Sequence, residues 1–159
     1  MTSERISRVW GTILLTITIF SLSVPAHAKY SGGTGEPNDP YQIATAADLI
    51  ALGNEPNDYD KHFILTADID LDPNLPGRKI FDRAVITPDM NDANLEWEFD
   101  GTPFTGVFEG NGHVISHLKI RGEGFLGLFG QICYPAKMLN LSLLGVFVRH
   151  RMLNLPEYC

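Results

Sequence analysis

The chain has 159 residues, 19 acidic against 12 basic side chains and a formal net charge of −7, enough for one domain. This acidic balance, with no Lys/Arg cluster, excludes nucleic acid as a partner, because phosphate-backbone binding rests on grouped cations. Two cysteines are too few for a disulfide framework and show no metal-ligand spacing.

Residues 1–28 read as a secretory signal peptide. Arg5 and Arg8 supply the positive start, and an apolar run extends from Val9 to about Val24. Ala26 and Ala28 are small at the cleavage-specifying positions, which places the cut after Ala28. The run is shorter than the ~20 apolar residues of a membrane span, so the membrane enters only through this leader. An uncleaved signal anchor is the alternative. The remainder is expected to be secreted or at the cell surface. An oxidising compartment permits a Cys133–Cys159 disulfide, provided the two Cα atoms lie within ~7 Å.

Residues 30–43 form a loop rich in Gly, Pro, Asn and Asp that ends in a short strand around Tyr41–Ile43. Thr45 is an N-cap with Asp48 three residues on, and Gly53 is a C-cap, so one helix of about two turns lies between them. Residues 30–53 then act as a capping segment over one open end of the fold. Residues 54–61 are a turn. His62–Asp72 reads as a single strand in which Asp68, Asp70 and Asp72 share one face and Ile69 and Leu71 the other. Residues 73–100, with Pro73, Pro76, Gly77 and Pro88, read as an insertion. Within it Leu95–Asp100 alternates like a short strand.

Phe104–Gly130 is punctuated by glycine at 106, 110, 112, 122, 124, 127 and 130, with short apolar runs between. This is the pattern of short strands joined by tight corners. Ile115–Gly122 matches Met138–Gly145 at an offset of 23 residues, pairing Leu118 with Leu141 and Ile120 with Leu143. In both copies alternation breaks once, placing corners at Ser116–His117 and Leu139–Asn140. A period of this size suits a stacked solenoid, with two strands of an ordinary sandwich as the alternative.

The stretches GGTGEPNDPYQIATAADLIALG, KHFILTADIDLD and FTGVFEGNGHVISHLKI, followed by Gly127-Leu128-Phe129-Gly130, resemble the secreted GLUG-motif proteins. The resemblance covers about residues 30–130, with a further coil at 137–148. It implies a right-handed parallel β-helix over residues 29–148 and off-pattern residues at 149–159. It implies a structural motif of Phe104, Gly106, Phe108, Gly110, Asn111, Gly112, Gly127, Leu128, Phe129 and Gly130. Phe104, Val107 or Phe108, Ile115, Leu118, Ile120, Leu128 and Phe129 would point inward, and Asn111-Gly112 would turn between two strands, as Asn-Gly favours on physical grounds. It implies no catalytic residues. Members of that family usually run on through several more coils, whereas here MLNL recurs at 138–141 and 152–155, only 14 apart and off the coil spacing, so the resemblance implies the first part of a longer design, truncated or frameshifted, with an open edge available for self-association.

Asp68, Asp70 and Asp72 are calcium candidates, but Pro73 and Lys79 stand where an EF-hand loop has Gly and an acid. The cation would need the turn containing Asn57, Asp58 and Asp60; otherwise the carboxylates form a solvated face. Glu96, Glu98 and Asp100 have the spacing of a glycosidase pair, which an alternating surface strand also produces. Arg78, Lys79 and Arg83 are lyase bases by composition only. His113 and His117 lie ~13 Å apart on extended chain, too far to share zinc. Tyr30, Tyr41, Tyr59, Trp97 and Phe99 would stack on sugars if exposed. The expected fold is all-β, a short right-handed parallel β-helix with an N-terminal capping helix. The expected function is non-enzymatic: adhesion, polysaccharide binding or a structural role, without cofactor unless calcium binds. The alternative is the N-terminal fragment of a polysaccharide lyase or glycoside hydrolase.

Overall fold

The computed structural model describes residues 29–91 and 98–150. The signal-peptide reading of residues 1–28 and the tail at 151–159 lie outside them, as does Cys159; Cys133 is a free thiol. The elements run β1 (Tyr41–Ile43), α1 (Ala46–Gly53), a 3₁₀ turn (Pro56–Asp58), β2 (His62–Leu65), β3 (Ile69–Asp70), β4 (Val107–Glu109), β5 (Val114–Ser116), β6 (Lys119–Gly122), β7 (Lys137–Leu139), β8 (Ser142–Leu144) and β9 (Phe147–His150). Among the described residues the fold is all-β apart from this one helix and the 3₁₀ turn, and every pairing between these strands is parallel.

Three sheets form, ordered β1-β2-β4-β7, β3-β5-β8 and β6-β9. The chain visits them in turn. From β2 onward, strands adjacent in sequence therefore lie in different sheets, and hydrogen-bonded neighbours come from different passes. Such an arrangement lets strands of three or four residues stand, because each backbone edge is paired by the pass above or below.

The register aligns side chains in ladders. Tyr41, Phe63, Phe108 and Met138 occupy successive levels of the first sheet. The Phe63 and Phe108 rings stack at 6.4 Å, and Phe129 meets Phe108 edge-on at 5.5 Å. Ile69, Ile115 and Leu143 form the second ladder; Phe81, Ile120 and Val148 the third. Phe63, Phe104, Phe108, Ile115, Leu118 and Ile120 are all buried to 1% exposure or less. Each such side chain contributes about 1.5–3 kcal/mol relative to an exposed one.

This register corrects the offset of 23. Ile115 lies over Leu143 and Ile120 over Val148, a step of 28 residues. Leu118 sits in the corner between β5 and β6, whereas Leu141 sits in the corner between β7 and β8. The two matched segments are successive kinds of corner, alike because each turns on one left-handed residue, His117 (φ 55°) in one and Asn140 (φ 46°) in the other. The counterpart of His117 in the next pass is Gly145 (φ 62°), and in the pass before Asn140 the corner between β4 and β5 holds Asn111 (φ 50°) and Gly112 (φ 77°). A shared corner conformation imposes a shared local pattern, whatever the stacking period.

Three further expectations change. His62–Asp72 is not one strand: Thr66–Asp68 turn the chain, so β2 and β3 join different sheets. Residues 73–91 are irregular but do not stand apart as an insertion. Phe81 bridges Ile120, Ile86 bridges Phe129, and Phe81, Val85 and Ile86 are buried at 5%, 5% and 0%. Proline and glycine masked a pass that makes bridges instead of long strands. Helix α1 starts as expected, with the Thr45–Asp48 capping box present, but its C-cap is Asn54 rather than Gly53. Gly53 ends the helix at a close approach: a Cβ there would lie 1.8 Å from the Val85 carbonyl oxygen.

The β1 end is closed by the chain itself. Ser31 N–H donates to the Gln42 carbonyl and Gln42 N–H donates to that of Gly32, at 3.1 and 2.8 Å. Leu49 and Leu52 of α1 enter the core with no exposure. Lys29 and the Tyr30 hydroxyl both reach the buried Asp58 carboxylate, tying this segment to the 3₁₀ turn. Burial and then Asp58 push the Tyr30 phenol well above its ordinary range.

Candidate functional site

Polar groups line the outer face of the second sheet and the corners at its two ends, most of them at the corner where the first sheet turns into the second. Each pass places a polar residue at this corner. The second-sheet strands add outward side chains on alternate positions, as the pleat requires. Asp68 precedes β3, and its Oδ1 lies 3.1 Å from His113 Nδ1 and accepts the Val114 N–H at 3.0 Å. Asp70 Oδ1 lies 2.9 Å from His117 Nδ1 and accepts the Asp72 N–H at 2.9 Å. The Asn111 amide donates to the Leu65 carbonyl at 3.1 Å, and the Asn140 amide donates to Glu109 Oε1 at 3.0 Å. The flank is thus a file of carboxylates, imidazoles and amides, each bridging one pass to the next.

These groups are solvated, with side-chain exposures of 74% and 32% for Asp68 and His113, and 45% and 52% for Asp70 and His117. The Val114 amide first, and His113 second, hold the Asp68 carboxyl below the usual carboxylate range. His117 first, then the Asp72 amide, do the same for Asp70. Stability linked to these depressed values is present above the unfolded carboxylate pKa and is lost as pH falls through the folded one.

The calcium candidates do not point to a common centre. Asp68 faces His113, Asp70 faces His117, and Asp72 accepts from Asn74 N–H and Nδ2 at 3.0 and 2.8 Å. Among the described residues no three His, Cys, Asp or Glu groups are placed to hold one metal ion. His113 and His117 stand at opposite ends of β5, each bound to its own aspartate.

Glu96 and Trp97 lie outside the described residues. Glu98 and Asp100 follow with no regular strand, and Asp100 N–H donates to the buried Asp89 at 2.9 Å. The basic residues scatter. Arg78 donates to the carbonyls of Asp70 and Pro76, Lys79 lies over the Phe81 ring, and Arg83 donates to the Asp89 carbonyl. Tyr30 and Tyr59 are buried, and Phe99 packs against Phe125. A cleft of about 320 Å³ opens beside the end of α1, lined among others by Asn54, Tyr59, Met90, Asp100 and Thr102.

Gly106, Gly110 and Gly130 of the motif mark close approach between passes. A Cβ at Gly106 would lie 2.1 Å from the Lys61 carbonyl oxygen, and one at Gly130 would lie 2.2 Å from that of Thr87. Sequence reasoning passed over Thr87. It is fully buried with φ 51°, accepts the N–H groups of Gly130 and Gln131 at 3.0 Å each, and donates to the Gln131 carbonyl at 3.2 Å. Its own N–H reaches the Tyr59 hydroxyl at 3.2 Å, and that hydroxyl donates to Gly53 at 2.8 Å. One side chain therefore links the GLFG segment to the helix end. Its only sequence signal is the following proline, which disfavours helix without specifying this conformation.

No family model matches this chain. No solved structure matches it either. It is similar to Halomucin of Haloquadratum walsbyi, at 34% identity over 143 residues, covering 84% of this chain and 2% of that protein. It is also similar to a Gly-rich membrane protein of Evansella cellulosilytica, at 35% identity over 125 residues, covering 75% of this chain and 12% of the relative. The chain thus spans a small part of each relative's length. Among the described residues no helix is long and apolar enough to cross a membrane.

Proposed function

We propose that this chain is a non-enzymatic, extracytoplasmic module of the GLUG-motif type, a right-handed parallel β-solenoid whose polar flank binds neutral polysaccharide. The observation that carries the reading is the set of cross-pass pairs, Asp68–His113 and Asp70–His117 at the two ends of the second sheet's strands, continued by Asn111, Glu109 and Asn140 at the corner with the first sheet. Side-by-side parallel strands lie ~4.8 Å apart, so such a flank offers hydrogen-bonding groups at regular intervals along the stack. Carboxylate, imidazole and amide groups suit sugar hydroxyls, and the carboxylates disfavour anionic polymers. A long solenoid face fits an extended chain better than a small molecule. Right-handedness follows from the strong bias of parallel crossovers. The ordered Phe104–Gly112 and Gly127–Gly130 segments support the family, and the similarity to a Gly-rich membrane protein supports a place at the cell envelope.

A glycan array with neutral and uronic-acid polymers, run beside reducing-sugar and unsaturated-product assays, tests this reading. Binding of neutral polymers without turnover is expected, and Asp70→Ala with His117→Ala should weaken it. Turnover of any bound polymer would overturn the non-enzymatic reading, and loss-free binding in the double variant would overturn the site.

A further inference from the structure

We infer that the outer face of the third sheet is an anion-binding track, on which Lys119, Arg121 and Arg149 receive the carboxylates of an acidic polysaccharide.

The basis is a juxtaposition of like charges that the fold keeps. In β6 and β9 the pleat sends Ile120 and Val148 inward and their neighbours outward, so Arg121 lies in register beside Arg149. Adjacent parallel strands are ~4.8 Å apart, and like charges directly opposite destabilise a sheet. Both arginines are exposed, Lys119 lies two positions before Arg121 on the same face, and neither strand contains an acid. Among the described residues none of these three cations makes an ion pair. Asp82, one level above Arg121, lies 3.7 Å from Arg83 instead. The carboxylates of Asp68, Asp70 and Asp72 gather at the second sheet. A repulsive pair kept uncompensated on an otherwise acidic protein breaks a local rule of stability, and such breaks belong to functional surfaces.

The column continues upward. Phe81 occupies the level above Ile120, and beside it a cleft of about 300 Å³ opens against the end of α1. Lys79, Arg83 and Asn54 line this cleft together with Asp82, and Lys79 stands 5.4 Å from the centre of the Phe81 ring. These cations are scattered in sequence and meet only in the fold. Those of β6 and β9 leave the stack sideways, so a further pass would lengthen the face without covering it.

The chemistry selects the occupant. A guanidinium fork matches a carboxylate with two parallel hydrogen bonds, and two forks one strand apart suit anions carried along an extended chain. Recognition of an anionic membrane uses clusters of about 4–8 cations, and Asp82 above with Glu123 at the end of β6 would press against such a plane. A single polymer chain passes between them. The net charge of −7 opposes its approach, but at physiological salt the Debye length is about 8 Å, so the local face decides the contact.

The test titrates the full chain, recovered from an expressing host, with polygalacturonate across salt. Binding should weaken as salt rises, neutral dextran should not displace the polymer, and the polymer should raise the thermal midpoint. Arg121→Gln with Arg149→Gln should weaken binding at least about tenfold and flatten its salt dependence. The same variant should unfold at the wild-type temperature or above it, because the repulsion is gone, so the lost binding is not lost folding. Absent binding, displacement by dextran, undiminished binding in the variant, or a variant that unfolds well below the wild type would each overturn the inference. Binding to phosphatidylglycerol vesicles but not to polygalacturonate would overturn it in favour of a lipid surface. Salt-reversible self-association without polygalacturonate binding would overturn it in favour of the acidic second sheet of another copy. No readout depends on neutral polysaccharide binding at the second sheet, so either proposal can fail alone.

Discussion

Replacing Ile115 by alanine tests the stacking register directly. Ile115 is fully buried in β5, with Ile69 above it and Leu143 below. Truncation removes three carbons, worth about 0.8 kcal/mol each in transfer free energy, or ~2.4 kcal/mol. A cavity between two packed levels adds to this, so the loss should fall within the ~2–5 kcal/mol range for such changes. Leu143→Ala should cost less, since Leu143 is 46% exposed. The decisive quantity is the coupling. Side chains in contact show interaction energies of about 0.5–3 kcal/mol, whereas distant ones add within ~0.5 kcal/mol. Urea unfolding of the wild type, both single variants and the double variant measures it. Additive losses for Ile115 and Leu143 would refute the step of 28 residues and the ladders built on it.

Thr87→Val keeps the shape but takes the side-chain acceptor from the part-buried Gln131 N–H and leaves the Gly130 N–H only the Ile86 carbonyl, and should destabilise by about 1–3 kcal/mol in the same assay. Gly53→Ala would set a Cβ 1.8 Å from the Val85 carbonyl, so the helix end must shift; a loss of about 1–3 kcal/mol, read from the thermal midpoint, is expected. Thr45→Ala removes the helix cap and should lower stability by about 0.5–2 kcal/mol. The depressed carboxyls of Asp68 and Asp70 put a pH dependence on the acid limb. Stability should fall as pH drops from about 4 towards the folded values, and Asp68→Asn with Asp70→Asn should flatten that limb in an acid titration followed by circular dichroism.

Much of the local structure was legible. Thr45 and Asp48 specify a helix start because a hydroxyl and a carboxylate three residues apart satisfy the first free amides wherever they occur. Asn111-Gly112 specifies a turn because both residues adopt positive φ (50° and 77°) at little cost. The alternation of Asp68, Ile69, Asp70 and Leu71 assigns inside and outside over four residues, since the pleat has a period of two. The corners at His117 and Asn140 were also readable, as breaks in alternation.

Which corner stacks on which was not readable. The offset of 23 compares corners of different sheets, and nothing local distinguishes them. The step of 28 emerges only when backbone edges pair and the side chains of one pass fill the space above the next. The same holds for the Asp–His pairs, whose members lie 45 and 47 positions apart. It holds too for Thr87, which becomes a hub only where the GLFG segment crosses it, and for Phe81 and Ile86, which look like loop residues until Ile120 and Phe129 lie beside them. Propensity and periodicity act over a few residues and are written in the chain; registry between distant passes is a collective result of packing, settled only once all passes share one interior.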